Sequence, residues 1–84
     1  MSWEVIVSPE ANKRIAKLSV PDKRRILIAI AELHEGLNGD IKPLKGREDW
    51  RMRVGKWRLL LSVDAYHHII EVVSVDTRGD VYKH

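Results

Sequence analysis

Between Arg51 and Leu61 the chain reads RMRVGKWRLLL, with Arg51, Arg53 and Arg58 alternating with apolar residues on either side of Gly55-Lys56. Glycine at the first central position of a two-residue loop suits a type II′ turn, so the segment is expected to form a hairpin. Pairing outward from Val54 opposite Trp57 sets Arg53 against Arg58, Met52 against Leu59 and Arg51 against Leu60. Side-chain alternation then sorts Trp50, Met52, Val54, Trp57, Leu59 and Leu61 to one side, and Arg51, Arg53, Arg58, Leu60 and Ser62 to the other. Like charges directly opposite on a sheet are destabilising, on the scale of about 0.2 to 1 kcal/mol per cross-strand pair. Folding alone gives no reason for them. A bound anion does, because each guanidinium can donate two parallel hydrogen bonds to phosphate oxygens, and several converging from adjacent strands form a phosphate clamp.

The basic character extends beyond the hairpin. Lys42, Lys45, Arg47 and Lys56 join the three arginines between residues 42 and 58, against only Glu48 and Asp49. Such a cluster repels itself unless an anionic partner neutralises it, either a phosphodiester chain or an acidic protein segment. Other chemistry is weakly signalled. His67-His68 precedes the last strand in a turn away from the arginines, and His34 lies on a helix surface. His84, at the end of the chain, could act as an acid or base near neutral pH. No histidine and carboxylate spacing suggests a metal site, and neither Ser62 nor Ser74 has an identifiable triad partner.

The elements that position these residues are legible from periodicity. Trp3 to Ser8 reads as a β-branched strand, after which Ser8 caps a helix and Pro9 occupies its first turn. That helix runs to about Leu18, with Ala11, Ile15 and Leu18 on its buried stripe and Lys13, Arg14 and Lys17 outside. A second helix follows SVPD with Ile26, Ile30, Leu33 and Leu37 at the same spacing, and Gly36 and Asn38-Gly39 stop it. Lys23, Arg24 and Arg25 at its start read as a solvated face or as a second contact for nucleic acid. Residues 40 to 47, DIKPLKGR, read as a connection, punctuated by Pro43 and Gly46. Strands are expected at about Asp49 to Val54, Trp57 to Asp64 and His68 to Asp76. The order β-α-α-β-β-β implies an α+β fold, an antiparallel sheet with the N-terminal helix pair packed on one face. Along the last strand, parity groups Ser74 and Asp76 with Arg78 but leaves Glu71 on the side of Val73 and Val75, so the strand is either bulged or solvated near that end. Trp3, Trp50 and Trp57 fall where they pack under the sheet or along its edge.

Size and composition agree with one small domain over residues 1 to 84. A chain this short buries only about 60 to 65% of its unfolded surface, which argues against a deep enclosed pocket. The net charge is +3, from 15 Lys and Arg against 12 Asp and Glu. The absence of cysteine excludes a disulfide framework and thiolate metal sites. No segment has the features of a signal peptide or approaches the ~20 apolar residues of a membrane span, so a cytoplasmic location is expected.

With PLKG, WRMRVGKWRLLL and VSVDTRGDVY in order, the sequence resembles the RelE/ParE toxin superfamily, and RelE-type toxins in particular. The resemblance implies the toxin of a type II toxin-antitoxin system, a metal-independent and ribosome-dependent endoribonuclease that cuts messenger RNA in the ribosomal A site. It implies a catalytic set of Arg51, Arg53, Arg58, Arg78 and Tyr82. Within it Arg58 holds the scissile phosphate, Arg78 lies near the leaving oxygen and Tyr82 stacks on the target nucleotide. Lys42, Lys45, Arg47 and Lys56 would bind RNA around it. Arg51 and Arg53 stand where well-known RelE members carry lysines, and an arginine effectively never loses its proton, so the general base is left open. No cofactor is expected. The implied partners are a cognate antitoxin, the ribosome and its messenger RNA, with a free toxin that is monomeric and becomes heteromeric with its antitoxin. Two alternatives stand beside this one: a ParE-like inhibitor of DNA gyrase with the same fold, and a non-catalytic RNA-binding module.

Overall fold

In the computed structural model, residues 2–37, 41–43 and 49–77 are described. The elements are β1 (Glu4–Val7), α1 (Pro9–Ala16), α2 (Val20–Glu32) continued by a 3₁₀ turn (Leu33–Glu35), β2 (Ile41–Pro43), β3 (Asp49–Val54), β4 (Trp57–Asp64) and β5 (Ile69–Thr77). The strands form one sheet in the order β1-β5-β4-β3-β2. After β1 the chain crosses one face through the helix pair to the far edge, then returns strand by strand until β5 meets β1. Four strands that reverse direction at each turn bring β5 back pointing as β1 does. The β1 and β5 pair is therefore parallel, while the other three pairs are antiparallel. The expected α+β architecture with helices on one face is present, as a mixed rather than wholly antiparallel sheet.

The strand that sequence periodicity did not show is β2. Three residues are too short for a period-two signal, and Pro43 lacks a ladder donor. Ile41–Pro43 nonetheless pairs with Trp50–Met52 at the sheet edge, where proline is tolerated.

The hairpin register is the expected one, with Arg53 opposite Arg58 and Arg51 opposite Leu60. Gly55 has φ 59° and Lys56 is not in the positive-φ region, which distinguishes type II′ from type I′ at this loop. Met52, Trp57, Leu59 and Leu61 face the helices and join Ala11, Ile15, Ile26, Ile30 and Leu33 in the core. Trp3 and Trp50 pack against that core from partly buried positions, so all three tryptophans are structural here. Trp57 lies beneath two cations, the Arg14 guanidinium 5.8 Å and the Lys56 ammonium 5.7 Å from its ring centroid. α1 ends at Ala16, two residues before its apolar stripe does, because Leu18 turns back with its N–H on the Ile15 carbonyl at 3.1 Å.

β5 is bulged. Leu60 pairs with Ser74 but Leu61 pairs with Val72, which leaves Val73 as an extra residue. The bulge resolves the parity conflict at Glu71: Ile70, Val72 and Val75 all reach the core, while Glu71 is opposite Ser62 and Asp76 opposite Arg58. Ser8 secures this irregularity. Its hydroxyl donates to the Val73 carbonyl at 2.8 Å and accepts from the Ala11 N–H at 3.1 Å, while its own N–H donates to the Val72 carbonyl at 3.0 Å. One residue thus caps α1 and pins the bulge.

Candidate phosphate-binding site

The face of the sheet turned away from the helices carries the basic residues. Lys42 from β2, Arg51 and Arg53 from β3 and Arg58 from β4 line a single cleft. Its volume is about 60 Å³, far below the 300 to 1,000 Å³ usual for small-molecule pockets. It can seat an anionic group of a longer ligand rather than enclose a whole nucleotide.

Alternation along β3 places Arg51 and Arg53 on the same face, and the hairpin register brings Arg58 opposite Arg53. β2 adds a pair that the sequence did not reveal, because Lys42 stands directly opposite Arg51. Two like-charge pairs therefore lie side by side across three strands. Taken as a pair, each disfavours folding on the scale of about 0.2 to 1 kcal/mol, and Asp76, opposite Arg58 on β5, offsets part of this for the second. Gathered donors of fixed positive charge, held by strands rather than loops, can neutralise a phosphodiester and stabilise additional charge developing on its oxygens. Among the described lining residues, Lys42 contributes an ammonium and the other three contribute guanidinium groups.

Lys56 is placed elsewhere. Its ammonium lies 3.9 Å from an Asp22 carboxylate oxygen, toward the helix layer, and does not line the cleft. As the second loop residue, Lys56 follows the turn toward Trp57 and α2. Lys45, Arg47, Arg78, Tyr82 and His84 lie outside the described residues.

The described histidines are structural or remote. His67 sits at the opposite end of β4 from Arg58, about 20 Å away along a strand. It holds Asp64 by a 2.7 Å contact from Nδ1 and a 3.1 Å hydrogen bond from its backbone N–H. Those hydrogen bonds, the side-chain one foremost, lower the Asp64 carboxyl below its ordinary value. His68 adopts a positive φ of 59° and stacks on Trp3, ring centroids 4.2 Å apart. His34 Nδ1 lies 3.0 Å from the Trp3 carbonyl oxygen, to which it donates. Among the described residues, no group of three or more His, Asp or Glu side chains could hold a metal ion. None of the described helices is long and apolar enough to cross a membrane.

This topology, with its helix pair on one face and a basic open face, defines the class: the chain has the RelE-like toxin fold. Three solved structures show the likeness. The archaeal RelE-RelB complex from Pyrococcus horikoshii OT3 superposes with a TM-score of 0.82 at 23% identity, covering 94% of this chain and 98% of that one. The toxin-antitoxin complex RelBE2 from Mycobacterium tuberculosis gives 0.67 at 27% identity, over 93% and 100% of the two chains. The isolated RelE toxin of E. coli gives 0.77 at 20% identity, over 96% and 92%. No protein-family model matches the sequence, and a search of curated proteins finds no match.

Proposed function

We propose that this chain is the toxin of a type II toxin-antitoxin pair and an endoribonuclease that cuts messenger RNA in the ribosomal A site. The observation that carries the reading is the convergence of Lys42, Arg51, Arg53 and Arg58 on one cleft, at the expense of two like-charge cross-strand pairs. The likeness to toxins solved with their antitoxins supports a cognate antitoxin as partner. The cytoplasm, where translating ribosomes are found, is the corresponding location.

The reaction is attack of the substrate's 2′-oxygen on the adjacent phosphorus. The P–O5′ bond breaks, leaving a 2′,3′-cyclic phosphate and a 5′-hydroxyl. The 2′-hydroxyl proton passes to a base and a proton is delivered to the departing 5′-oxygen. Arg58 and Arg53 hold the phosphate from opposite strands, and Arg51 adds positive charge beside them. Arg78 and Tyr82 belong to this proposed set as the group near the leaving oxygen and the stacking ring, the latter contributing about 1 to 3 kcal/mol. Lys45 and Arg47 extend the path of the RNA backbone. Lys42 adds the charge that β2 brings to the edge of the cleft. The guanidinium groups supply the charge stabilisation, so cleavage is expected to persist in the presence of a chelator.

The test is to incubate the purified protein with translating ribosomes, with and without chelator, and to map the 5′ ends of the cut transcripts. Cuts at A-site codons that disappear in Arg58→Ala support the reading. Gyrase-linked DNA breaks without RNA cuts would replace it with a gyrase inhibitor. Binding of RNA without cleavage would reduce it to an RNA-binding module.

A further inference from the structure

The two ends of β5 have different surroundings. From Ile69 to Val72 it pairs with β1 on one side and β4 on the other, whereas from Ser74 to Thr77 its described partner is β4 alone. On the side that β1 leaves open, α1 flanks a groove of about 220 Å³ lined by Glu10, Lys13, Arg14, Lys17, Val75 and Asp76. The bulge decides where Asp76 stands. Counted in twos from the buried Ile70 and Val72, Asp76 would fall on the core side. The extra residue Val73 shifts the alternation, so Val75 is buried instead and Asp76 shares the open face with Arg58, its partner across β4 and β5. Side chains directly opposite in such a pair have Cβ atoms about 4.5 to 5.5 Å apart. Arg58 is half-buried with its Nε enclosed, so its stem lies along the sheet and keeps a gripped phosphate low, at the level of a short aspartate. Among the described residues, Asp76 is the one carboxylate paired across strands with a residue of the cleft; Asp49 and Glu71 are both opposite Ser62.

We propose that Asp76 is the general base of the cleavage, a role that rests on the nuclease reading. An arginine supplies charge but does not take up a proton, and a carboxylate does. Asp76 stands where the cleft and the groove adjoin, opposite Arg58 in the one and lining the other. With the scissile phosphate on Arg53 and Arg58, the nucleoside that carries the attacking 2′-hydroxyl lies over Asp76 and extends into the groove, since the cleft holds only about 60 Å³. Lys13 and Lys17 then meet the next phosphate upstream, on the far wall of the groove. The 2′-hydroxyl proton passes to an Asp76 carboxylate oxygen as the 2′-oxygen bonds to phosphorus and the P–O5′ bond breaks. The 5′-oxygen takes a proton from water, and the hydroxide left behind takes the one held by Asp76. The charged groups that face Asp76 are Arg58 from β4 and Glu10, Lys13, Arg14 and Lys17 from α1.

The test is single-turnover cleavage of messenger RNA on programmed ribosomes. Affinity is measured separately on ribosomes whose messenger carries a 2′-deoxynucleotide at the cut position and therefore stays whole. Asp76→Asn is expected to slow cleavage by about a hundred- to ten-thousandfold. It should bind the 2′-deoxy complex at least as tightly as the unmodified chain, because a negative charge facing the phosphate has been removed. Asp76→Gly leaves room for a small carboxylate, so added formate or acetate should restore cleavage to that variant and not to Arg58→Ala. Full-speed cleavage by Asp76→Asn overturns the proposal and leaves the nuclease reading standing. A rate loss matched by an equal loss of affinity also overturns it and makes Asp76 a support for Arg58. So does a folded Asp76→Gly chain that neither anion restores. An unmodified chain that cuts no transcript overturns both readings together.

Discussion

Replacing Arg51 by threonine should move stability and activity in opposite directions. Arg51 stands opposite Lys42 on β2 and shares its face of β3 with Arg53. Two unit charges about 5 Å apart in a water-like medium repel by about 0.8 kcal/mol, within the usual range for cross-strand pairs. Threonine is β-branched and suits a strand, so the change should leave stability unaltered or raise it by up to about 1 kcal/mol. For a domain of this size, 1 kcal/mol corresponds to about 4 to 8 °C in Tm. The same substitution removes a fixed positive charge from the cleft. If Arg51 stabilises charge on the phosphate in the transition state, its loss should slow cleavage by about a hundred- to a thousandfold. The measurements are thermal unfolding by circular dichroism and single-turnover cleavage of messenger RNA on programmed ribosomes. A Tm that falls by several degrees alongside the rate would make Arg51 a structural residue. Full activity with a raised Tm would remove it from the catalytic set.

Three further outcomes are expected. Lys42→Ala removes the charge that β2 brings to the cleft, so cleavage should slow by about a hundredfold; an unchanged rate would take Lys42 out of the set that stabilises the phosphate. Ser8→Ala removes the α1 cap and the clamp on the β5 bulge, with an expected loss of about 1 to 2 kcal/mol in denaturant unfolding and faster amide exchange at Ser74 to Thr77; unchanged exchange there would mean the bulge holds itself. Asp64 has a lowered pKa in the folded state, so its pairing with His67 adds stability above the unfolded carboxyl value of 3.8 that is lost as pH falls through the lower folded value. Asp64→Asn should therefore flatten the acid limb of a Tm-against-pH curve without altering cleavage, and a matching acid limb in both chains would contradict the assignment.

Much of the molecule was readable before any tertiary information. The hairpin register followed from Gly55-Lys56, because a two-residue loop fixes which residues oppose and a period of two fixes which faces they take. The helix starts were equally local: Ser8 and Pro9 begin α1, and SVPD begins α2. Glu71 carried the signal of the bulge, since a carboxylate at an apparently core-facing position contradicts a regular strand. What that signal lacked was the site of the extra residue, which depends on Ser8, 65 positions away from Val73 in sequence.

The sequence by itself determined the elements, the face of the hairpin that carries guanidinium groups, and the resemblance that follows from their order, because turn chemistry and side-chain period are local properties of the chain. Only the tertiary structure decided that Lys42 completes the cleft while Lys56 leaves it, that β1 runs parallel to β5, and that Asp76 stands opposite Arg58. Each of these depends on which distant segment lies alongside, and a chain's own periodicity does not encode its neighbour.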